Sequence, residues 1–391
     1  MQLFTSIGML SIPLLATELR ASSLELGVIG AFGSATYAAT VVFAGTLSDR
    51  FGRKRVIICG TLLTAVVLAF MPLSSTPVHL IFLNVSLGCS TAFFWPVLEA
   101  WLSDGASSEE VGKGLGGFNV SWSAGACLGP LMGGILYTRS SALALLLAAA
   151  GVCLVAYIAY QNKNVTAASP LISATKLDSI QIDQSTAEPI AGPTNGKSLL
   201  YAIWMANFTS WFVMSEIRML FPKLGVDVLG MQPWVIGLLI FALGFSLTAT
   251  FYLMGVSRLW RNSPRPLIFA QILIIVFLLA MTGSTSAVTL SIVFCGLGVG
   301  FGIAYSYSLY YSVVGSLEKG AGSGRHEMVL GMGAVLGPLL GGGVTEIFST
   351  LRAPYILGAV LVFISLGAQL RIFSANRESA LIRTSPRADA D

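Results

Sequence analysis

Glu99 stands inside an apolar run, in the stretch FFWPVLEAWLSD from Phe93 to Asp104. A carboxylate within a membrane-spanning helix costs about 2.5–3.5 kcal/mol on insertion scales, so it is kept where a proton, a cation or a partner helix can meet it. Its helical neighbours Trp95, Pro96, Leu102 and Ser103 carry no positive charge, so any cation comes from another helix. Three further segments bring polar or aromatic groups to a comparable depth. One holds Asn119 and Trp122. The second is YSYSLYYS, with Tyr305, Tyr307, Tyr310 and Tyr311. The third opens with Arg325, His326 and Glu327. Asn207 and Trp211 lie nearer the middle of another apolar run. Together with Trp95 and Glu99, the candidate substrate or proton path is Asn119, Trp122, Asn207, Trp211, Tyr307, Tyr310, His326 and Glu327. Histidine titrates near neutral pH, and aromatic faces suit an amphipathic or aromatic solute. The plainer alternative is that Arg325–Glu327 opens a helix at the water interface and the tyrosines form an interfacial belt.

A second cluster is GTLSDRFGRKR, Gly45 to Arg55, the densest charge in the chain, set between two apolar runs. Simple anchoring of basic residues at a membrane surface accounts for Arg53, Lys54 and Arg55, but not for Asp49 or the glycines.

The elements that position these residues are long and apolar. Hydrophobic residues make up 55% of the 391 and charged residues only 10%, against about 25% charged in soluble domains. This chain has too little charge to cover a water-exposed surface, so it is a membrane protein. Twelve spans are expected, near 2–19, 25–47, 56–74, 77–103, 112–137, 141–160, 198–221, 231–256, 266–283, 286–315, 325–348 and 353–373. They lack the alternation of barrel strands, and in lipid only helices or closed barrels satisfy the backbone. The fold class is therefore all-α. Pro96 is expected to kink the fourth span. The first span, from about Met1 to Thr17, is barely long enough to cross a bilayer, which takes roughly 20 residues. Met1 opens straight into this apolar segment, with no basic n-region or small-residue cleavage site visible in it.

Two six-helix halves are expected, 1–160 and 198–373, joined by a flexible linker at 161–197 rich in Ser, Thr, Ala, Pro and Asn, with a disordered tail at 374–391. If the Gly45–Arg55 loop is cytoplasmic, 17 of the 22 Lys and Arg fall on that side. The exceptions are Arg20, Arg139, Arg218, Lys223 and Arg352. The positive-inside rule then puts both termini in the cytoplasm and the protein in the cell membrane. GPLMGG at 129–134 recurs as GPLLGG at 337–342, VIG at 28–30 recurs at 235–237, and Gly45 before Arg50 is echoed by Gly255 before Arg258. The offsets are 208, 207 and 210, and internal repeats of this kind build many transporters.

Gly45, Asp49, Arg50, Gly52 and Arg53 between the second and third spans resemble the signature loop of the major facilitator superfamily (MFS). Gly125, Gly129, Pro130, Gly133 and Gly134 on the fifth span resemble the glycine-proline motif of that family's antiporters. The resemblance covers nearly the whole chain. It implies two pseudo-symmetric six-helix bundles that rock about a central path. It further implies a loop that latches the halves when the transporter faces outward. Asp49 would then approach the start of the eleventh span, Arg53 would reach Asp104, and Gly45 and Gly52 would permit close backbone approach. The function implied is secondary transport of a small organic solute by alternating access, with proton-coupled export as the leading form. Uptake or facilitated diffusion is the alternative, because Asn84 stands where many proton-coupled exporters carry an arginine, and the second half's loop GVSRLWRNSPRP lacks the aspartate. A non-transporting sensor on the same scaffold would be expected to append a soluble domain.

Other readings are excluded or set lower. No metal spacing, cofactor motif or nucleophile–base set is present, so the chain is not expected to be an enzyme. AGPTNGKS at 191–198 lacks the preceding strand of a phosphate loop, and GLGVGFG at 296–302 reads as a packing face of small residues. A net charge of +4 without a basic face does not suggest nucleic acid. The five cysteines read as buried apolar residues. Glu18, Arg20, Glu216 and Arg218, in TELR and SEIR, read as side chains snorkelling to the outer interface rather than as a gate. A monomer is expected, with the bilayer, a small solute and protons as its partners.

Overall fold

The computed structural model describes residues 1–103, 108–161, 196–257, 260, 263–314 and 319–384. Among them are thirteen α-helices, one 3-10 turn and no strand. In the first half they are α1 (Gln2–Glu18), α2 (Ser23–Phe51), α3 (Arg53–Phe70), α4 (Pro77–Ala92), α5 (Trp95–Ser103), α6 (Ser108–Arg139) and α7 (Ser141–Gln161). In the second they are α8 (Gly196–Asp227), α9 (Pro233–Val256), α10 (Arg265–Gly283), α11 (Ala287–Val314), α12 (Lys319–Phe348) and α13 (Ala353–Thr384). Twelve spans result, because α4 and α5 form one. Nine of the twelve are long and apolar enough to cross a membrane on composition alone among the described residues; α1, α6 and α8 complete the bundles.

The fourth span is broken rather than kinked. Phe93 N–H donates to Ser90 O and Phe94 N–H to Thr91 O, the tightened pattern of a last helical turn. Pro96 is the cause: it has no N–H to donate, and its ring clashes with the carbonyl four residues back. The last helix runs on to Thr384, past the expected end at residue 373. Residues 162–195, most of the expected linker, lie outside the described residues, as does Asp104.

The two bundles meet at the end away from the Gly45–Arg55 loop. There α6 crosses α9, and α2 crosses α12. An ideal Cβ on Gly134 would lie 2.5 Å from Pro233 O, and one on Gly342 would strike Ser23 O. Gly237 and Gly27 face Pro130 O and Pro338 O in the same way. Backbone donors at these points are met by side chains of the opposite half. Ser23 N–H donates to Glu346 Oε1 at 2.8 Å, and Trp234 N–H donates to Thr138 Oγ1 at 3.1 Å. Each supplies an acceptor to a helix N-terminus, where backbone donors have no partner in their own helix.

These contacts also fix the repeat register. Gly134 and Gly342 are 208 apart, but their partners Pro233 and Ser23, and Gly237 and Gly27, are 210 apart. The VIG recurrence at offset 207 is therefore not the repeat, whereas the Gly45–Gly255 pair has the correct spacing.

At the loop end the described glycines have open space beside them. Beyond their own stretch of helix, no described atom lies within 4 Å of the Cβ position of Gly45, Gly255, Gly324 or Gly331. The apolar core divides accordingly. One cluster joins both halves through residues such as Ile7, Leu14, Phe212 and Leu239. Near the loop end, Ala44, Val56, Ile57, Phe94 and Val97 pack within the first bundle, and Ile203, Trp260, Ile303 and Tyr307 pack within the second. Among the described residues, a central cleft thus opens toward the loop and is closed at the far end.

Two outcomes follow from this geometry. Ser23 is only 3% exposed under the seam. A cysteine placed at Ser23 in a chain stripped of its own cysteines should label slowly with a water-soluble maleimide, and Gly342→Ala should speed that labelling by prying the seam apart. Gly52, between α2 and α3, has φ +92 and ψ 133, a region close to glycine-only. Gly52→Ala should cost about 1–3 kcal/mol, read as a lowered unfolding temperature in detergent.

Candidate functional site: the central cleft

Four side chains converge on the cleft from both halves. Tyr37 comes from α2, Glu99 from α5, Tyr305 from α11 and Glu327 from α12. Glu99 and Glu327 interact electrostatically, and both act on Tyr37 and on Tyr305. Glu99 and Glu327 are exposed and the two tyrosines half-buried, as expected of groups lining a water-filled opening. Glu327 lies eight residues into α12, about 12 Å along the helix.

The second bundle supplies a polar wall behind this front. His326 is fully buried beside Glu327. Its Nδ1 lies 2.8 Å from Ser308 Oγ on α11 and 3.5 Å from Asn207 Nδ2 on α8. Both neighbours can donate to Nδ1, an arrangement suited to a neutral ring protonated at Nε2. Tyr305 packs edge-on to His326 at 4.9 Å, against Phe251 at 4.9 Å and Trp211 at 6.3 Å. His326 Nε2 and Asn207 Oδ1 are buried with no hydrogen-bond partner among the described residues. Asn207, Trp211, His326 and Glu327 thus lie in one neighbourhood, with Tyr305 as the residue that joins them.

Tyr307 is placed elsewhere. Two residues beyond Tyr305 on α11, it points away from the cleft, and its hydroxyl donates to Trp260 O at 2.7 Å and Ser263 O at 2.6 Å. Tyr310 packs edge-on to Trp260 at 5.2 Å. These two expected path residues instead pack against the connection between α9 and α10. In the first bundle, Trp95 stacks edge-on to Phe94 at 4.9 Å and packs on that bundle's own core. Trp122 is half-buried on α6. The side chain of Asn119 lies outside the described residues. Tyr37 escaped the sequence reading because a lone tyrosine in an apolar run carries no signal; its spacing gains meaning only once α2 faces α11 and α12.

At the signature loop, Asp104, the expected partner of Arg53, lies outside the described residues. Asp49 Oδ1 accepts from Arg53 at 2.6 Å, and the Asp49 side chain is 63% exposed. Arg53 also donates to Ser48 Oγ at 2.5 Å. Among the described residues, Asp49 pairs one turn along its own segment. Gly45 has no close neighbour from another element among the described residues.

The glycine-proline motif performs two tasks. Gly125, Gly129 and Gly133 seat α6 on Leu3, Ser6 and Ile7 of α1, while Gly134 faces the other half. In α12, Gly333, Gly337 and Gly341 seat the helix on α8, with Gly342 facing α2. Pro130 and Pro338 present the carbonyls that meet Gly237 and Gly27. Asn84 Nδ2 donates to Ile29 O at 2.7 Å, tying α4 to α2.

At the far end, Glu216 corrects the snorkelling expectation. It is 0% exposed, set against Gly341 and Gly358, and neither carboxyl oxygen has a hydrogen-bond partner among the described residues. Glu18, Arg20 and Arg218 are exposed, and no ion pair joins these four among the described residues. No group of three or more His, Cys, Asp or Glu suited to a metal occurs among the described residues.

A two-bundle helical fold with a cleft between its halves is the architecture of a membrane transporter. The sequence matches the Major Facilitator Superfamily over residues 1–317, and the chain belongs to that family of transporters, which are not enzymes. It is 24% identical over 358 residues to multidrug resistance protein 1 of Bacillus subtilis, covering 90% of this chain and 88% of that one. With multidrug resistance protein 2 of the same organism it shares 22% over 379 residues, covering 93% and 90%. A shorter match, 35% over 123 residues, is to an uncharacterised MFS-type transporter of Methanocaldococcus jannaschii; the chain spans 31% of that relative's length. Two solved structures share the fold. One is a bacterial homologue of the human lysosomal transporter Spinster, inward-facing and unoccupied (TM-score 0.73, 13% identity, 96% of each chain). The other is the nucleoside transporter NupG (TM-score 0.68, 12% identity, 95% of this chain and 99% of that one).

His326→Ala should leave the Ser308 hydroxyl and the Asn207 amide buried without their shared acceptor. The expected loss is about 1–3 kcal/mol per orphaned group, measured as a lower unfolding temperature. Tyr307→Phe should also destabilise the fold while leaving solute binding in the cleft unchanged by calorimetry.

Proposed function

We propose that this transporter exports a cationic or amphipathic organic solute in exchange for protons, by alternating access, with the Gly45–Arg55 loop and both termini on the cytoplasmic side of the cell membrane. The observation that carries this reading is the pair of carboxylates, Glu99 and Glu327, brought from opposite halves into one cleft, close enough for Glu99 to act on Glu327. Two acids in one cleft attract a cation, and a proton that neutralises one of them releases it. Tyr305, Trp211 and Phe251 offer the aromatic faces an amphipathic cation needs. The similarity to two multidrug resistance proteins supports the export direction, and the 17 basic residues on the loop side support the orientation. In this reading the cleft faces the cytoplasm, ready to take up solute.

The coupling is tested by paired measurements in the same liposomes. Glu99→Gln should abolish accumulation driven by a pH gradient while sparing solute exchange at equilibrium. Loss of binding at every pH would instead mean that Glu99 holds the solute's charge. Wild-type values for both fluxes would remove Glu99 from the path, and gradient-independent flux in the unmodified chain would favour facilitated diffusion.

The loop is the second element. When the far end opens, Asp49 would exchange Arg53 for the N-terminus of α12, where backbone donors favour a carboxylate. Asp49→Asn should leave folding intact, slow transport and reduce far-end maleimide labelling of a cysteine at Ser23. Unchanged flux and labelling would leave the loop only an anchoring role.

A further inference from the structure

Apart from the cleft, the described residues form a groove of about 370 Å³ on the outer surface of the first bundle, at its loop end. Its walls are Leu47 and Phe51 of α2, Val56, Cys59 and Leu63 of α3, and Phe93 at the break between α4 and α5. Leu47, Phe51, Cys59 and Leu63 are exposed, so in a membrane this trough faces hydrocarbon. None of the cleft residues lines it. Its one charged lining residue is Arg55, in the first turn of α3. Arg50 adds a second guanidinium, held over the Phe51 ring at 5.5 Å. Neither arginine is paired with a carboxylate among the described residues, since Asp49 is taken by Arg53.

An apolar trough ending in two unpaired guanidiniums is complementary to one kind of molecule: a hydrocarbon chain attached to a phosphate. Guanidinium groups match phosphate oxygens in a planar fork, and basic residues beside a span are drawn to anionic lipid surfaces. We propose that this groove is a specific binding site for an anionic phospholipid, with an acyl chain along the α2–α3 trough and the headgroup phosphate on Arg50 and Arg55. A zwitterionic lipid has the same phosphate, but its ammonium offsets the attraction, so the site discriminates by net headgroup charge. The lipid would bridge α2, α3 and the α4–α5 break, beside the loop that carries Asp49.

Two native thiols provide the test. Cys59 is exposed within the groove, and Cys153 is exposed on α7 outside it. The full chain is placed in nanodiscs of phosphatidylcholine, with or without phosphatidylglycerol, and both thiols are labelled with a membrane-permeant maleimide and followed by peptide mass spectrometry. Phosphatidylglycerol should slow Cys59 labelling several-fold and leave Cys153 unchanged. Arg50→Gln with Arg55→Gln should return Cys59 to its rate in phosphatidylcholine. Leu63→Trp, which fills the trough without touching either charge, should remove the dependence of Cys59 labelling on phosphatidylglycerol. The proposal is overturned by equal Cys59 rates in both lipids, by parallel slowing of Cys153, or by protection that survives the arginine substitutions. Equal protection by inorganic phosphate in phosphatidylcholine alone would also overturn it, by assigning the arginines to a free anion.

Discussion

Backbone-to-backbone contact across the far end is the constraint on which the rest of the structure depends. Helices with ordinary side chains pack 8–10 Å apart. At the α6–α9 and α2–α12 crossings, glycine on both sides removes the intervening side chains, and carbonyls of Pro130, Pro233, Pro338 and Ser23 meet bare Cα atoms. Closing the halves this tightly at one end leaves them splayed at the other. The open cleft, the separate cores near the loop and the exposed Asp49 are all consequences of where the small residues lie.

The two crossings are alike in geometry but not in charge. Thr138 and Glu346 are repeat equivalents, 208 residues apart, and each accepts a hydrogen bond from the first turn of a helix in the opposite half. A carboxylate at a helix N-terminus also gains from the helix dipole, whereas a hydroxyl gains far less. The α2–α12 crossing is therefore the more strongly held, and a separation of the far end strips a charged partner from α2 but only a neutral one from α9.

In the cleft, front and back are built from different chemistry. Glu99, Glu327, Tyr37 and Tyr305 face the opening, where water solvates charge. Asn207, His326 and Ser308 lie behind, wholly buried within the second bundle. The back wall holds Tyr305 through His326, so the front half of the site inherits the rigidity of a packed helix triplet. The first bundle has no equivalent wall among the described residues: Trp95 packs on its own core.

The sequence by itself determined what local chemistry can specify. Charge so sparse and apolar runs so long permit only spanning helices, and these place the Gly45–Arg55 loop, the glycine-proline motifs and the acids Glu99 and Glu327 at definite depths. Asn207, Trp211 and His326 were legible because polar groups within an apolar run need a reason to be there. Which way a side chain points was not legible, because every face of these helices is apolar and no periodicity separates lipid from core. Hence Tyr307 and Tyr310 looked like path residues, Tyr37 looked like nothing, and Glu216 looked interfacial. Only the tertiary structure decided those, because burial in a membrane protein depends on which helix lies alongside. It also decided the repeat register, since a three-residue recurrence is weaker information than a carbonyl pressed against a glycine.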